Sequence, residues 1–431
     1  MMKRKNVWAA IALTMMAAVV AGCSKDDNDA ENNIEEPQQE VIVTPVELPT
    51  SLELTRAELN MVNSSNEFAF NLFRTAQDEV KSQILSPLSI TFALGMLNNG
   101  AAGETQQQIN KVLGFGDTGA DGINDFCYKM LQMAPTLDPL TKVMIANTIF
   151  VNKPYELMPN FVLKAKAFYN AEPEARDFRD GKTRDVINKW ASDHTEGLIE
   201  EVLDESSFDP STYSYLLNAI YFKGSWAKKF EKALTREDHF MRALREDETE
   251  VAMLTPEPMM HQQDMFDYCE TDDYQALRLP YGNGSFAMTV LLPKTDSRAV
   301  PKVPTAEVWE QLCGLMAKSR VDVKLPRFET NSDFGLIPLM KGLGISDAFV
   351  AEKADFRYLF NMPTFISLMS QTAIIKLDEE GTEAAAVTKD GICGSGRPQS
   401  YVNFHANHPF LYVISEQKTG AVFFIGQFTG R

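Results

Sequence analysis

The chain has 431 residues, 44% of them hydrophobic, with 59 acidic against 41 basic side chains and a formal net charge of −18. That length supplies a large core, and the acidic balance argues against nucleic acid as a partner, because no basic stripe is left to neutralise phosphates. Five cysteines without a Cys-x-x-Cys pair give neither a disulfide framework nor a zinc site.

The N-terminus reads as an export signal. MMKRK is basic and residues 7–20 are almost continuously apolar. That run is shorter than the roughly 20 residues that span a bilayer, so a cleaved signal is expected and not a membrane helix. Val20-Ala21-Gly22-Cys23 resembles a bacterial lipobox, which implies removal of residues 1–22 and lipid on Cys23; a plain signal peptide is the alternative. Residues 24–50 carry eight acidic side chains and one lysine, too little apolar surface to offset their ordering entropy. Residues 23–50 are therefore expected to be a lipidated, solvated tether. Its opening SKDD is similar to the export tag of surface-exposed gram-negative lipoproteins, which implies an outer-membrane anchor at the cell surface, with the periplasmic face as the other option.

No Pro/Gly/Ser-rich linker, charge block or repeat divides residues 51–431, so one large domain is expected there. Thr55 and Glu58 form a capping-box pattern heading a helix over 55–74, with Leu59, Val62, Phe68 and Leu72 at helical or near-helical spacing. Residues 86–105 continue as a second helix, entered through Ser86-Pro87. TQQQINKVL is helical, so the GFGDTG after it lacks the strand–turn–helix setting of a dinucleotide site and reads as a helix stop and turn. VMIANTIFVN is a strand, residues 186–203 are an amphipathic helix interrupted near Gly197, and YLLNAIYFKGSW is a buried strand ending at Trp226. YQALRLPY, FAMTVLLP and VDVKLPRFE are strands, and residues 410–428 a hairpin turning at Lys418-Thr419-Gly420. Helices crowd the first half and antiparallel-looking strands the second, an α+β class.

Catalytic and cofactor patterns are scarce. CGSGR around Ser395 supplies a serine without a strained nucleophile turn or a positioned base. His405 and His408, among only five histidines, lack a third ligand at helical spacing, and FHANHPFLYVI reads better as a turn feeding a strand. Met259 and Met260 are core filler. No enzyme, metal centre or cofactor is expected. What remains is LDEEGTEAAAVT, residues 377–388. The strand TAIIKLD gives way to Gly381, Thr382 and three alanines; alanine favours helix over strand, yet the stretch is too rich in Gly, Ser and Pro to be a stable helix throughout.

Taken together, LSPLSITFALGMLNNGAAGET, NAIYFKGSW, LRLPY with TVLLP, LPRFE with GLGISDAF, EEGTEAAAVT, and FHANHPFLYVI with FFIGQF resemble the serpins, in that order from about residue 55 onward. The resemblance implies three β-sheets, eight to nine helices and an exposed reactive-centre loop at about 379–400. It also implies a monomeric inhibitor of serine proteases, with cysteine proteases as a further class. The protease cuts the loop and forms an acyl-enzyme; the freed loop then inserts as a new strand of the main sheet and distorts the protease.

On that reading the same residues must be solvated in one state and a central strand in the other, which explains their small size. With period two, Thr382, Ala384 and Ala386 face the core on insertion while Glu383 and Ala385 face outward; Gly381 is the pivot, and Glu379 and Glu380 complete the hinge. Counting fifteen residues from Gly381 gives Ser395–Gly396 as the bait bond, suited to elastase-like or subtilisin-like enzymes. Ile392–Cys393, Cys393–Gly394 and Arg397, which precedes Pro398, are the alternatives. Asp390 would face inward and oppose insertion. Ser86, Ser89, Asn218, Gln371 and Trp226 map to the strand-opening region. Gln371 stands where many members have a histidine, so it keeps hydrogen bonds but cannot titrate. Only Lys129 and Lys142 are found in the helix region where the family binds sulfated polysaccharide, so no such cofactor is expected. The alternative function is a non-inhibitory member that acts as a binding protein and is cleaved as a plain substrate.

Overall fold

A computed structural model describes residues 51–115, 119–245, 254–294, 299–382 and 400–431. Its α-helices are α1 (Arg56–Ala76), α2 (Pro87–Asn98), α3 (Gly103–Leu113), α4 (Gly119–Met133), α5 (Pro159–Tyr169), α6 (Lys182–His194), α7 (Ala306–Leu315) and α8 (Leu336–Leu343). The first strands are β1 (Gln83–Leu85), β2 (Thr141–Asn152), β3 (Glu174–Arg176), β4 (Ser214–Ser225) and β5 (Arg236–Met241). Next come β6 (Leu254–Glu270), β7 (Tyr274–Pro280), β8 (Phe286–Pro293), β9 (Ala317–Pro326) and β10 (Phe328–Gly335). Last are β11 (Leu368–Leu377), β12 (Gly381–Thr382), β13 (Val402–His405), β14 (Phe410–Glu416) and β15 (Val422–Phe428). The expected α+β class, helices early and strands late, is present.

The helix starts follow local chemistry. At α1 the Thr55 hydroxyl accepts from the Glu58 N–H while Glu58 Oε2 accepts from the Thr55 N–H at 2.6 Å, satisfying two otherwise orphaned donors. Val62, Phe68 and Leu72 are buried as expected, but Leu59 is 38% exposed and stands off the core. α2 is buried along its whole length and packs against β4 on one side and β15 on the other. It stops at Asn98, short of the helix expected through residue 105. The Ala102 N–H is taken by the Asp355 carbonyl, and a new helix begins at Gly103. Gly114 caps α3 in the left-handed conformation, the expected stop.

The interruption expected near Gly197 is instead the end of α6. Glu196 and Gly197 both take positive φ. The Asn188 side chain accepts from the Val202 and Leu203 N–H groups and donates to the Leu203 carbonyl, drawing residues 202–203 back across α6 in non-helical form.

The strands form two hydrogen-bonded ladders among the described residues, not the three sheets counted from the resemblance. The six-stranded main sheet runs β10-β11-β12-β4-β2-β3; the nine-stranded one runs β1-β15-β14-β8-β7-β6-β9-β13, with β5 on β6. The counts differ because β6 is 17 residues long. Its last four residues pair with β7 while the rest pairs with β9 and β5, so one strand carries two neighbouring surfaces. Met259 and Met260 are buried core residues on it.

The β14–β15 pair is packed tightly enough to need a glycine. A Cβ built on Gly426 would lie 2.2 Å from the Tyr412 ring, and Tyr412 is fully buried. Gly426→Ala should therefore lower stability by about 1–3 kcal/mol through overpacking, seen as an earlier urea midpoint. An unchanged midpoint would mean that Tyr412 has room to move.

Candidate functional site

The site lies where β4 and β11 meet. These strands pair in parallel only over Leu368–Thr372 against Tyr215–Ala219. Above that they part. β12 enters between them at the far end, antiparallel to both, with Thr382 opposite Leu377 and Gly224, and Gly381 opposite Ser225. Between the two contacts, residues 373–376 of β11 and 220–223 of β4 pair, among the described residues, on one side only, with β10 and β2 respectively. The described strands of the main sheet thus leave a four-residue slot between β4 and β11, with β12 at its mouth.

The point where the slot closes is a buried polar cluster. Gln371 is fully buried and sits opposite Asn218. Its Oε1 accepts from the Ser86 N–H at 2.9 Å, and its Nε2 donates to Asn218 Oδ1 at 2.5 Å, Ser89 Oγ at 2.8 Å and the Ser86 carbonyl at 3.1 Å. Asn218 continues the cluster to Asn147 Oδ1 at 2.7 Å. Ser86 also caps α2 and donates to the Phe423 carbonyl. All four polar residues of the strand-opening region are therefore in contact, tying α2 to β4, β11 and β15. Each bond is modest in net worth, but breaking one strands a buried partner at about 1–3 kcal/mol.

The hinge is anchored residue by residue. The Trp226 indole N–H donates to the Asp378 carbonyl at 2.9 Å and its backbone N–H to the Glu380 carbonyl. Its ring stacks on Tyr281 at 4.5 Å, and the Tyr281 hydroxyl meets the Thr382 hydroxyl at 2.7 Å. Thr382 is buried. Gly381 has φ +146°, and a Cβ there would lie 2.1 Å from the Gly224 carbonyl oxygen, so no other residue fits.

Two carboxylates fix the turn before β12. Glu379 is 1% exposed and pairs with Arg327 at 2.5 Å and Thr235 at 2.7 Å. Burial alone would raise its pKa, but these hydrogen bonds more than offset that and hold it below the usual glutamate range. Glu380, bonded to Lys229 at 2.8 Å and Lys232 at 3.2 Å, is also held low, chiefly by the Lys229 contact.

Several site expectations fall outside the described residues: Cys23, Glu383, Ala384, Ala385, Ala386, Asp390, and the bait-bond candidates Ile392, Cys393, Gly394, Ser395, Gly396 and Arg397. His405 approaches Asp322, and His408 is buried between Asn407 and the Pro293 carbonyl; the two do not converge on a shared ligand. Lys129 is paired with Glu58 and Lys142 with Glu196. The sequence reading missed Tyr281, Thr235, Arg327, Lys229 and Lys232. Tyr281 closes the LRLPY motif, but Arg327 and Lys229 lie 52 and 151 residues from the glutamates they hold, a separation no local pattern reports.

Because both hinge carboxylates are held below their ordinary values, their stabilisation is complete above about pH 4.3, the usual glutamate value, and is lost as pH falls through the lowered folded values. Hydrogen-exchange protection at residues 378–382 should fall between pH 5 and pH 3. Glu379→Gln should flatten that fall and reduce protection at pH 7 by about tenfold, the equivalent of roughly 1–2 kcal/mol. Identical profiles in the variant and the parent would remove Glu379 from the anchor.

The comparisons with known proteins agree with this geometry. The family profile described as Serpin (serine protease inhibitor) matches residues 63–430. Serpin B6 of Macaca fascicularis is 34% identical over 86% of this chain and 99% of its own length. Neuroserpin of Homo sapiens is 30% identical over 82% and 86%. Among solved structures, the native thermophilic serpin tengpin superposes with a TM-score of 0.79 at 26% identity, covering 89% of this chain and 97% of that one. Thyroxine-binding globulin in complex with thyroxine gives 0.75 at 25% identity, covering 86% and 99%. From its first recognisable motif in α2 to β15, the chain belongs to the serpin family.

Proposed function

We propose that the protein is a suicide-substrate inhibitor of serine endopeptidases, not an enzyme, with the segment after Thr382 as bait. The observation that carries the reading is β12: Gly381 and Thr382 already occupy strand positions at the mouth of the slot that the described residues leave between β4 and β11. Extending their register down the slot puts Glu383 opposite Lys376 and Lys223, Ala384 opposite Ile375 and Phe222, Ala385 opposite Ile374 and Tyr221, and Ala386 opposite Ala373 and Ile220. The four unpaired positions would receive one carboxylate between two lysines and three methyl side chains. Opposite charges across a strand pair favour that register by about 0.2–1 kcal/mol each. Thr388 would come opposite Gln371 and Asn218, so insertion beyond Ala386 requires the polar cluster and the five-pair parallel ladder to open. Asp390 would come opposite Met369 and Leu216, both buried, where an unpaired carboxylate costs several kcal/mol (~2–5).

The bait bond of this proposal is Ser395–Gly396, with elastase-like and subtilisin-like enzymes as targets and papain-like ones as a further class. The lipobox at Cys23 supports a lipid anchor in the outer membrane, with the inhibitor at the cell surface.

A second reading, a binding protein cleaved as a plain substrate, has its own observation. A cavity of about 760 Å³ lies among α1, α7 and the β14–β15 turn. Arg278 Nε, Trp309 Nε1 and Gln417 Oε1 belong to its lining residues and have no hydrogen-bond partner. Trp309 is 2% exposed, and a small ligand bearing an acceptor would satisfy it. The fold-relative solved with thyroxine shows that a serpin can carry a small molecule.

Incubation with a panel of elastase-, subtilisin-, trypsin- and papain-like proteases separates the two. Inhibition predicts a complex that survives boiling in detergent, with the cut mapped by mass spectrometry to Ser395–Gly396. Thr382→Arg should keep the cleavage and lose the complex, because the arginine cannot enter beside Tyr281. Clean cleavage of the parent, with every protease left active, would replace the inhibitory reading by the second. Asp390→Ala should trap protease at least as efficiently as the parent, measured as moles of inhibitor consumed per mole inactivated; a clear loss would show that Asp390 assists insertion.

A further inference from the structure

Among the described residues, two that are not glycine take positive φ, Asn170 at 48° and Glu196 at 53°. Asparagine is a usual left-handed cap and ends α5 in that role. Glutamate has no such preference, since its Cβ crowds the following carbonyl in this conformation, so a side chain is kept at position 196 despite backbone strain. Gly197 follows with φ +80°, and the Gly197 and Leu198 N–H groups are taken by the Ser192 and Thr195 carbonyls. The Ile199 N–H goes to the Thr195 hydroxyl, and Ile199 is buried. The turn is thus well defined, and it directs the Glu196 side chain onto the main sheet.

What it meets there is a pair of like charges. Lys142 of β2 and Lys223 of β4 lie directly opposite one another, on one face of the sheet, an arrangement that is destabilising by itself. Glu196 forms an ion pair with Lys142, both side chains being nearly half exposed. Its carboxyl is held below the usual glutamate range, first by the Lys142 hydrogen bond, with the charge of Lys223 and the Tyr221 hydroxyl adding to it. The body of α6 is attached differently. Ile187 and Leu203 are buried with Phe150 of β2 and with Tyr215 and Leu217 of β4. α6 and its turn therefore form a strap along β2 and β4, from an apolar end at Tyr215 to a charged end at Lys223.

We propose that Glu196 is the clasp of this strap: by meeting Lys142 and answering Lys223, it fastens the turn after α6 across β2 and β4. The two attachments respond to different conditions. Apolar burial is not screened by ions, whereas an exposed ion pair weakens as salt shortens the range of its attraction. The strap therefore opens from the Glu196 end, and more readily in salt.

The consequence rests on the inhibitory reading. Residues 220–223 of β4 are one wall of the slot that the described residues leave, and Lys223 adjoins Gly224, the partner of Thr382. A carboxylate brought beside Lys223 from the slot would compete with Glu196 for the same cation. Lengthening of β12 and loosening of the charged end of the strap would then be coupled.

The test uses the uncut chain and no protease, which keeps its failure separate from failure of that reading. Hydrogen-exchange protection is measured at neutral pH over residues 195–203 in about 20 mM and about 500 mM salt, with β15 as internal reference. In the parent, protection should fall by about two- to fivefold at the higher salt. Glu196→Gln, which keeps the backbone strain but not the charge, should start at the lower level and lose the salt dependence, and Lys142→Met should behave alike while β15 is unchanged. Glu196→Gly exposes the rival account: a turn that needs only its left-handed backbone would be better protected with glycine and indifferent to glutamine. Parent-level protection in Glu196→Gln, or a parent indifferent to salt, would overturn the clasp.

Discussion

The parallel ladder between β4 and β11 is the contact on which the rest of the molecule turns. It is five residues long and is reinforced from beneath by Gln371, Asn218, Ser86 and Ser89. Beyond it, β4 and β11 are linked among the described residues only through the two-residue β12 at their far ends. An amide at position 371 suits this role. It presents one acceptor and two donors to the Ser86 N–H, the Ser86 carbonyl and Asn218 at once, and its charge is zero at every pH. The cluster is thus a polar junction set by geometry alone.

The hinge obeys a different physics. Glu379 and Glu380 lie in a chain of net charge −18, where further acidic residues repel. They are tolerated because Arg327, Lys229 and Lys232 converge on them from the ends of other strands. Aromatic packing supplies the remaining hold. Trp226 on Tyr281, and Tyr281 on Thr382, place a small hydroxyl where a larger side chain has no space. Anchoring up to Thr382 fixes the register of β12 against both β4 and β11.

The residues on either side of positions 383–399 are held unequally. On the N-terminal side the chain is bound through backbone hydrogen bonds, a ring stack and two buried or half-buried ion pairs. On the C-terminal side, among the described residues, it rests on a four-residue strand paired with β9.

How much was legible in the sequence depended on the range of the interactions involved. Capping at Thr55 and Glu58, the left-handed stop at Gly114 and the hairpin at Lys418-Thr419-Gly420 are local, and they could be read directly. Helix ends set from afar were misjudged: α2 stops where Asp355 captures its continuation, and α6 where Asn188 folds back residues 202–203. The change from strand residues to Gly381, Thr382 and the alanines at 384–386 was visible directly, because side-chain volume is a property of the residue alone. Pairing is not. That four positions of β4 and of β11 lack a shared partner among the described residues, that Lys376 and Lys223 are the first of them, and that Arg327 and Tyr281 hold the residues around β12 are facts of tertiary pairing. Register is decided only when segments more than a hundred residues apart bury the same core.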